Sequence, residues 1–332
     1  MVRQIYGIDL SKEKFDVNFL DEQGKIQESV VKNDYKSICD FLSKLTTSVT
    51  LCIEYTGVYG DLLVFLANSF SIEICATPGY EIKHSLGLQK GKSDPMDAAR
   101  IREYGERFTD KLKPSKVADE VMSELRELHN LRHILVKQRA LLKTQCKGKC
   151  KLPYESIKAH ELAEFTLQVL DSQIIEVESE IQHIINLHQE YQENSQLIQS
   201  IRGIGPVTAS ELIIKTHNFI KIDTARKAAS FAGICPYPNS SGNMIKKSKI
   251  SSMGDKSLKT LLFLCARCAI TYNKDMKQYY NRKKEEGKHT FIALNNVANK
   301  LLRTIYAIIE SRQMYDPNYI CMDPRLENKI VA

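Results

Sequence analysis

Residues 3–31 read RQIYGIDLSKEKFDVNFLDEQGKIQESVV. Apolar and polar residues alternate through this segment in three short bursts, which are separated by SKEK and DEQGK. Alternation with a period of two residues is typical of half-buried strands, and short polar interruptions are typical of turns. The segment therefore predicts three strands joined by tight turns.

Helices and strands alternate in the residues that follow. We expect a helix over residues 35–46, a buried strand in TLCIEYT, a helix over 58–69, a strand in SIEICAT and a further helix that begins near Pro95. Helices inserted between the later strands of one sheet are typical of the α/β class. The first part of the chain is therefore predicted to be an α/β domain.

From about Ala118 to Ser200 the composition shifts to Leu, Ile, Glu, Gln and Lys, and apolar residues recur three and four apart. This periodicity predicts two long helices, broken around CKGKCKLPYE. The second helix has the length for an antiparallel or intermolecular coiled coil, with a packed intramolecular bundle as the alternative. Its apolar stripe comprises Leu167, Leu170, Ile174, Ile181 and Ile184.

Length and composition set limits on the class of protein. A chain of 332 residues suggests two or three domains, and 47 Lys and Arg against 40 Asp and Glu give a net charge of +7, a moderate indication of a polyanionic partner. The sequence contains no run of about 18 apolar residues, so we do not expect a membrane span. Nine scattered cysteines and an opening without an apolar signal core lead us to expect a cytoplasmic protein.

Four acidic residues are candidates for a metal site. Asp9 lies on the first predicted strand, Glu54 lies within CIEYTG, and Asp94 and Asp97 lie in KSDPMDAARI. The last two share a helix face, although helix capping by Asp94 is an alternative. If the first and fourth strands are neighbours, Asp9 and Glu54 emerge side by side. Such an all-oxygen cluster predicts Mg²⁺, as two ions about 3.5–4 Å apart.

The last third of the chain contains two motifs. In IRGIGPVTASELI, Gly203 and Gly205 predict a tight turn between two helices, similar to a helix-hairpin-helix motif that binds the DNA backbone, with Arg202 beside it. The segment FAGICPYPNSSG reads as a loop containing Ser240 and Ser241, and a basic stretch follows it. A solvated lysine face is the alternative to a phosphate site there. The lysines of this stretch are Lys246, Lys247, Lys249, Lys256 and Lys259.

Together these motifs resemble those of the DEDD-type insertion-sequence transposases, the insertion-sequence one-ten family, to which Piv-type DNA invertases also belong. YGIDLSKEKFDV, CIEYTGVYG and KSDPMDAARI match the family's RuvC-like domain, and the two later motifs match its transposase domain. The resemblance implies a ribonuclease-H-like (RuvC-like) α/β domain over residues 1–115, a helical coiled-coil region over 116–196 and a mainly helical transposase domain over 197–332.

The resemblance also implies roles for individual residues. The family's acidic tetrad falls on Asp9, Glu54, Asp94 and Asp97, and its catalytic serine falls on Ser241, which we prefer to Ser240 because it precedes Gly242. It implies cleavage and rejoining of DNA through a covalent 5′-phosphoserine and, as in some family members, a structured guide RNA as a partner. The apolar stripe of the helical region leads us to expect a homo-oligomer, either dimer or tetramer. The expected nucleic-acid contacts are Lys92, Arg202, Gly203, Gly205, Lys246, Lys247 and Lys249.

Two other functions are compatible with the residues. A junction-resolving nuclease of the same fold would hydrolyse DNA with metal-bound water and would not need the serine. A non-catalytic nucleic-acid-binding protein would use the acids only to cap and stabilise helices. An intact acidic tetrad argues against the second alternative.

Overall fold

The computed structural model describes residues 4–55, 57–85, 87, 93–115, 119–149, 156–241, 244–250 and 253–317. The chain divides into two compact units, Met1–Asp119 and Glu120–Ala332. The first unit contains a mixed sheet with helices, and the second is mostly helical. The predicted succession of an α/β part and a helical part is therefore confirmed. The finer division of residues 120–332 into a helical region and a transposase domain remains a prediction.

The first unit is built on a five-stranded sheet with the strand order β3-β2-β1-β4-β5. β1 pairs antiparallel with β2 and parallel with β4, so the first and fourth strands are neighbours, as a ribonuclease-H-like sheet requires. β2 pairs antiparallel with β3, and β4 pairs parallel with β5. The strands are β1 (Gln4–Leu10), β2 (Lys14–Leu20), β3 (Ile26–Lys32), β4 (Val49–Glu54) and β5 (Glu73–Thr77).

Helices cover both faces of this sheet. Ile8 and its neighbours pack with α1 and α2 in the larger core, whereas Ile5 packs with Ile101 and Tyr104 of α4. Because successive strand residues face opposite sides, Asp9 shares the α4 face with Ile5 and Gly7. The helices are α1 (Tyr35–Leu42), α2 (Asp61–Ser69), α3 (Gly79–Ser85) and α4 (Asp94–Arg107).

Two glycines allow α4 to lie directly on the sheet. A Cβ atom at Gly7 would lie 2.2 Å from the carbonyl oxygen of Ala98 and 2.3 Å from the backbone nitrogen of Arg102. A Cβ atom at Gly105 would lie 2.7 Å from Cγ2 of Ile5. Backbone atoms cannot move aside as a flexible side chain can, so any side chain at Gly7 would push α4 away from β1.

The second unit begins with two long antiparallel helices, α5 (Glu120–Lys149) and α6 (Ile157–Leu187). Arg132 of α5 pairs with Glu178 of α6, and Arg139, which is further along α5, pairs with Asp171, which is earlier on α6. The two helices therefore run in opposite directions. The prediction of two long helices is confirmed, and the stripe residues Leu170, Ile174, Ile181 and Ile184 are buried, whereas Leu167 is half-buried. The two helices pack within one chain, and a coiled coil between chains remains a prediction.

The rest of the second unit contains six helices and one hairpin among its described residues. They are α7 (Gln189–Gln199), α8 (Pro206–Thr216), α9 (Ala225–Phe231), β6 (Pro236–Ser241), β7 (Met244–Ile250), α10 (Lys256–Tyr272), α11 (Lys274–Glu285) and α12 (Thr290–Ser311). Within the described ranges, no helix has both the length and the apolar character needed to cross a membrane.

Two expectations were wrong in this unit. The helical region predicted to end at 196 contains a third helix, α7, which begins after His188 rather than continuing α6. The segment predicted as a loop is the antiparallel β6–β7 hairpin. Proline is tolerated on an edge strand because its missing N–H then costs no ladder hydrogen bond, and both strands of this two-stranded sheet are edges. Pro236 and Pro238 therefore did not prevent pairing.

A buried polar network joins three helices of the second unit. Glu211 of α8, 1% exposed, bonds to Nε2 of His129 on α5, and Ser257 Oγ of α10 donates to Glu211 Oε1 at 2.9 Å. Burial by itself raises the pKa of Glu211, but these hydrogen bonds, with the charges of His129 and Lys215, lower it overall. An unpaired carboxylate would be costly at this depth, so the network specifies how α5, α8 and α10 pack.

We expect Gly7→Ala to lower the free energy of unfolding by about 3 kcal/mol or more, because the new methyl group meets backbone atoms of α4. Gly60→Ala is the matched control: its nearest contact would be 3.4 Å from Cδ1 of Leu10, and it should cost less than about 1 kcal/mol. The chain has no tryptophan, so urea unfolding would be followed by circular dichroism. Equal losses in both variants would contradict the close helix-to-strand contact.

Candidate active site

Three elements of the first unit bring the predicted acids together. Ile8 pairs with Ile53 in the parallel register of β1 and β4, so the next residues, Asp9 and Glu54, lie side by side at the carboxyl ends of these strands. Asp94 and Asp97 lie in the first turn of α4, which packs on β1. The sheet order and the position of α4 therefore place all four carboxylates at one edge.

Burial and the neighbouring acids together change the ionisation of Asp9. Burial, followed by the charges of Asp97, Glu54, Asp94 and Asp16, raises the pKa of Asp9 from 3.8 to about 6. The other three members of the predicted tetrad all contribute to this shift. The sequence-based prediction that they gather at one site agrees with this geometry.

The structure adds a fifth acid and two cations that sequence reasoning missed. Asp16 of β2 is the cross-strand partner of Asp9 and is 6% exposed. Nζ of Lys14 lies 3.1 Å from Oδ2 of Asp16 and 3.3 Å from Oδ2 of Asp94. Nη1 of Arg100 lies 2.6 Å from Oδ1 of Asp97. The tight SKEK turn was a usable signal for Asp16, because it makes β1 and β2 a hairpin whose register opposes Asp9 and Asp16.

Helix capping does not explain the two acids of α4. The helix begins at Asp94 itself, its N-cap residue is Ser93, and Ser93 makes no side-chain capping bond. The capping interpretation of Asp94 is therefore wrong. Both aspartates still interact favourably with the positive end of the helix dipole, by about 0.3–1 kcal/mol. This interaction does not explain why they lie near Asp9 and Glu54, which repel them.

The donor set fits a hard divalent cation. Five carboxylates against Lys14 and Arg100 leave an excess of three negative charges at neutral pH. Oxygen-only donors with excess negative charge suit Mg²⁺ or Ca²⁺. The acids do not form a closed ligand shell: among the residues that the structure describes, no three acid, His or Cys side chains are arranged to hold an ion. A closed ligand shell for a cation would therefore need the carboxylates to move closer together than they are in this structure.

Glu54 is directed toward the first residue of α3. A Cβ atom at Gly79 would lie 2.0 Å from Oε1 of Glu54, so the carboxylate occupies the space that a side chain there would need. The backbone N–H of Tyr55 donates to the carbonyl of Thr77 at 2.9 Å, which continues the β4–β5 pairing past Glu54. Gly79 thus leaves Glu54 room at the edge of the sheet.

The candidate serine lies on the hairpin of the second unit. Ser241 is the last residue of β6 and pairs with Met244, and Ser240 pairs with Ile245. On β7, Lys246 pairs with Asn239, after a register irregularity between Tyr237 and Asn239. The side chains of residues 238–241 and 244–250, and the whole of Gly242, lie outside the part of the chain that the structure describes. The choice of Ser241 and the contacts of Lys246, Lys247 and Lys249 therefore remain predictions.

A glycine contact closes the base of this hairpin. A Cβ atom at Gly254 would lie 2.4 Å from Cα of Gly233, and the N–H of Asp255 donates to the carbonyl of Phe231 at 2.8 Å. The backbone before β6 and the backbone after β7 are thus held together. Beside this contact lies an open cavity of about 370 Å³, lined by Ser230, Phe231, Tyr237, Met253, Gly254 and Asp255.

The predicted glycine turn between α7 and α8 is confirmed. Gly203 has a φ of 106°, and a Cβ atom there would lie 2.9 Å from the backbone nitrogen of Ala269 on α10. This contact gives Gly203 a packing role. Gly205 is the N-cap residue of α8, and Arg202 is exposed. A nucleic-acid contact at Arg202, Gly203 and Gly205 remains a prediction, and Lys92 lies outside the described residues.

Comparisons with known proteins agree with this site and fold. A model of the transposase IS116/IS110/IS902 family matches residues 195–281, and a second model, described as a transposase, matches residues 6–151, which contain all four acids. The chain is thus a transposase, in agreement with the motifs of both units. It belongs to the IS116/IS110/IS902 family of transposases.

Several relatives are similar over nearly the whole chain. The pilin gene-inverting protein of Moraxella bovis is 25% identical over 95% of this chain and 98% of its own length. The transposase for insertion sequence element IS1111A of Coxiella burnetii is 24% identical over 94% of this chain and 91% of its own. The insertion element IS900 uncharacterized 42 kDa protein of Mycobacterium paratuberculosis is 22% identical over 94% of this chain and 96% of its own length.

We expect Asp9→Asn to raise the free energy of unfolding by about 1 kcal/mol in the presence of a chelator. A carboxyl whose pKa is raised on folding stabilises the folded state below its unfolded pKa, and this contribution is lost as the pH rises through about 6. At pH 7.5 the ionised Asp9 is therefore destabilising, and partial solvation keeps the effect small. The same variant should lose most of the stabilisation that Mg²⁺ gives the wild type.

The matched control is Asp40→Asn, which removes a charge from an exposed position on α1. Urea unfolding of each variant, with and without Mg²⁺, measures both effects. The acidic-site interpretation is wrong if Asp9→Asn is less stable than the wild type in chelator and still gains as much from Mg²⁺.

Proposed function

We propose that this protein cleaves and rejoins DNA strands, with the acidic cluster and Ser241 as its catalytic groups. The observation that carries the proposal is the convergence of Asp9, Glu54, Asp94 and Asp97 at one edge of the sheet, inside the segment matched by the transposase model. Such a cluster destabilises the fold unless cations neutralise it, so its presence is best explained by a reaction that uses them. Transposases and gene-inverting relatives both require strand cleavage followed by rejoining.

The cluster would hold divalent ions through Asp9, Glu54, Asp94 and Asp97. Bound Mg²⁺ would neutralise the excess charge and stabilise the attacking and leaving oxygens of a phosphodiester. Asp9 and Glu54, on adjacent strands of the sheet, supply rigid ligands, whereas Asp94 and Asp97 depend on the position of α4. Lys14 and Arg100, once released from their carboxylates, are available to contact a DNA phosphate.

Ser241 would be the nucleophile. Its hydroxyl is a weak nucleophile until a base removes the proton or a metal lowers its pKa. Oγ attacks the phosphorus while its proton passes to a base, and the bond to the 3′-oxygen breaks. The 3′-oxygen takes up a proton from the base or from water, which leaves a free 3′-hydroxyl and a 5′-phosphoserine. The phosphodiester bond is thereby conserved for rejoining. The lysines of β7, which follow the serine along the hairpin, would offset the charge of the attacked phosphate.

A structured RNA would select the DNA sequence by base pairing. The net charge of +7 supports binding of a polyanion, and the sequence contains no recognisable helix-turn-helix reader.

Copies of the chain would assemble on this RNA. Exposed apolar residues on α6 support assembly, in which the helical region brings the serine of one chain to the acids of another. These residues include Ile157, Leu162, Phe165 and Ile175.

The test of the serine uses Ser241→Ala and Ser240→Ala separately, incubated with element-end DNA and Mg²⁺. We expect the wild type and Ser240→Ala to form a covalent adduct on a denaturing gel, and Ser241→Ala to lose it completely. Asp97→Asn should lower adduct formation by at least about 100-fold, because an ion loses one ligand. Cleavage without any adduct, in the wild type and both serine variants, would identify a hydrolytic nuclease instead.

The partner and assembly proposals share one experiment. We expect the protein, purified at low salt, to carry one discrete RNA species in a complex that contains two or four chains, as measured by light scattering and RNA sequencing. The RNA should dissociate steeply as salt rises, because binding releases counterions. A fully active monomer would contradict the assembly, and random RNA fragments would contradict the guide.

A further inference from the structure

Helix α11 carries an excess of positive charge. From Lys274 to Lys288 the chain has six lysines and arginines against three acids. Met276, 1% exposed, anchors one side of the helix in the core, so the other side faces solvent. The cations exposed there are Lys274, Lys277, Arg282, Lys284 and Lys288. These five residues, with Lys283 and Lys300, are called the α11 surface below.

Ion pairing within the chain does not explain this charge. On other helices, exposed cations pair with acids one turn away, as in Lys158 with Glu161 and Lys227 with Asp223. On α11, Lys283 pairs with Glu286. Within the part of the chain that the structure describes, no carboxylate lies within 4.0 Å of the nitrogen atoms of the five exposed cations. Lys284 Nζ donates to the neutral hydroxyl of Thr290 at 3.0 Å, and Arg282 and Lys288 interact with Glu286 only through their charges at longer range. One acid does not balance these cations, so their charge is available to a ligand.

A second helix adds to the same surface at Tyr279. The guanidinium carbon of Arg282 lies 5.2 Å from the centre of the Tyr279 ring, Nζ of Lys283 lies 5.6 Å away, and Nζ of Lys300 on α12 lies 5.0 Å away. Three like charges around one ring repel one another, and a cation–π contact at an exposed site offsets only about 0.5–1 kcal/mol of this. A bound polyanion would attract all three cations and so offset the repulsion between them.

The spacing of the exposed cations suits a chain of phosphates. Lys277, Asn281 and Lys284 follow one another at four and three residues, so they lie on one side of the helix. Lys277 and Lys284 are separated by about 10 Å along the axis, a distance that covers roughly three phosphates along one strand of a duplex. Gln278 and Asn281 add neutral donors on the exposed side.

We propose that the α11 surface binds the phosphodiester backbone of a nucleic acid without reading its sequence. The proposal rests on the proposed function, which makes DNA and a structured RNA the ligands of this protein. It lies outside the contacts expected from the motifs, all of which precede α10. Phosphate contacts fix the register and orientation of a nucleic acid, so the α11 surface would position its ligand on the second unit.

The test is a triple variant of the full chain, Lys277→Gln, Lys284→Gln and Lys288→Gln, freed of copurifying RNA. Its matched control, Lys25→Gln, Lys36→Gln and Lys44→Gln, makes the same change in charge at exposed positions of the first unit. A third variant changes the same three α11 lysines to Arg. The probes are a fluorescent DNA duplex and an RNA duplex of one arbitrary sequence, and Kd is measured by anisotropy over a range of salt concentrations.

We expect the Gln variant to bind at least about 10-fold more weakly than the control at 100 mM salt, and its salt slope to fall by about 2 to 3, because each lost phosphate contact removes about 0.9. The Arg variant should bind like the wild type. Loss on DNA alone assigns the surface to DNA, loss on RNA alone assigns it to RNA, and loss on both supports contact with a backbone common to the two.

Binding by the Gln variant that equals the control on both probes would overturn the proposal. Each single Gln variant should lower the salt slope by about one, which separates loss of contacts from damage to the fold, as does an unchanged melting temperature. Covalent adduct formation at saturating DNA is measured in parallel. If the wild type forms no adduct, the proposed function fails while the binding result for the α11 surface still stands.

Discussion

The direct contact between α4 and β1 is the constraint on which the site depends. Gly7 and Gly105 remove the side chains that would otherwise separate the helix backbone from the strand. Because α4 carries Asp94 and Asp97 in its first turn, the separation that Gly7 permits also sets how near these acids come to Asp9. A larger residue at position 7 would therefore affect both the packing of the domain and the arrangement of the carboxylates.

The acidic edge of the sheet lowers the stability of the fold at neutral pH. Asp9 is half-buried among other carboxylates, so its ionised form is less favourable in the folded chain than in water. Lys14 and Arg100 neutralise only part of the negative charge of the cluster. A design for stability alone would place apolar residues there, since even paired buried charges rarely improve on them. The two ion pairs hold Asp94 and Asp97 in place and leave an excess of negative charge at this edge.

Glycine contacts of the same kind recur in the second unit. Gly203 lets the turn before α8 approach α10, and Gly254 lies against Gly233 at the base of the hairpin that carries the candidate serine. Buried polar contacts add to these, with Glu211 bonded to His129 and Ser257 across three helices. The hairpin thus projects from a base fixed by backbone contacts, which suits a nucleophile that must meet a phosphate at a defined position.

The sequence by itself determined the five strands of the first unit, the two long helices and the family, because these follow from period-two and helical patterns and from local motifs. It also named the four acids that the sheet and α4 bring to one edge. It did not predict β6 and β7, because Pro236 and Pro238 resemble loop residues and only pairing across the turn makes them strand residues. Asp16, Lys14 and Arg100 were missed, although the β1–β2 turn could have indicated Asp16. The contacts of Arg100 with Asp97 on α4 and of Lys14 with Asp16 on β2 are local. Only the tertiary structure decided the contact of Lys14 with Asp94, since it depends on how closely α4 approaches the sheet. The gathering of Lys300 with Arg282 and Lys283 around Tyr279 likewise depends on the packing of α11 against α12, which no local pattern encodes.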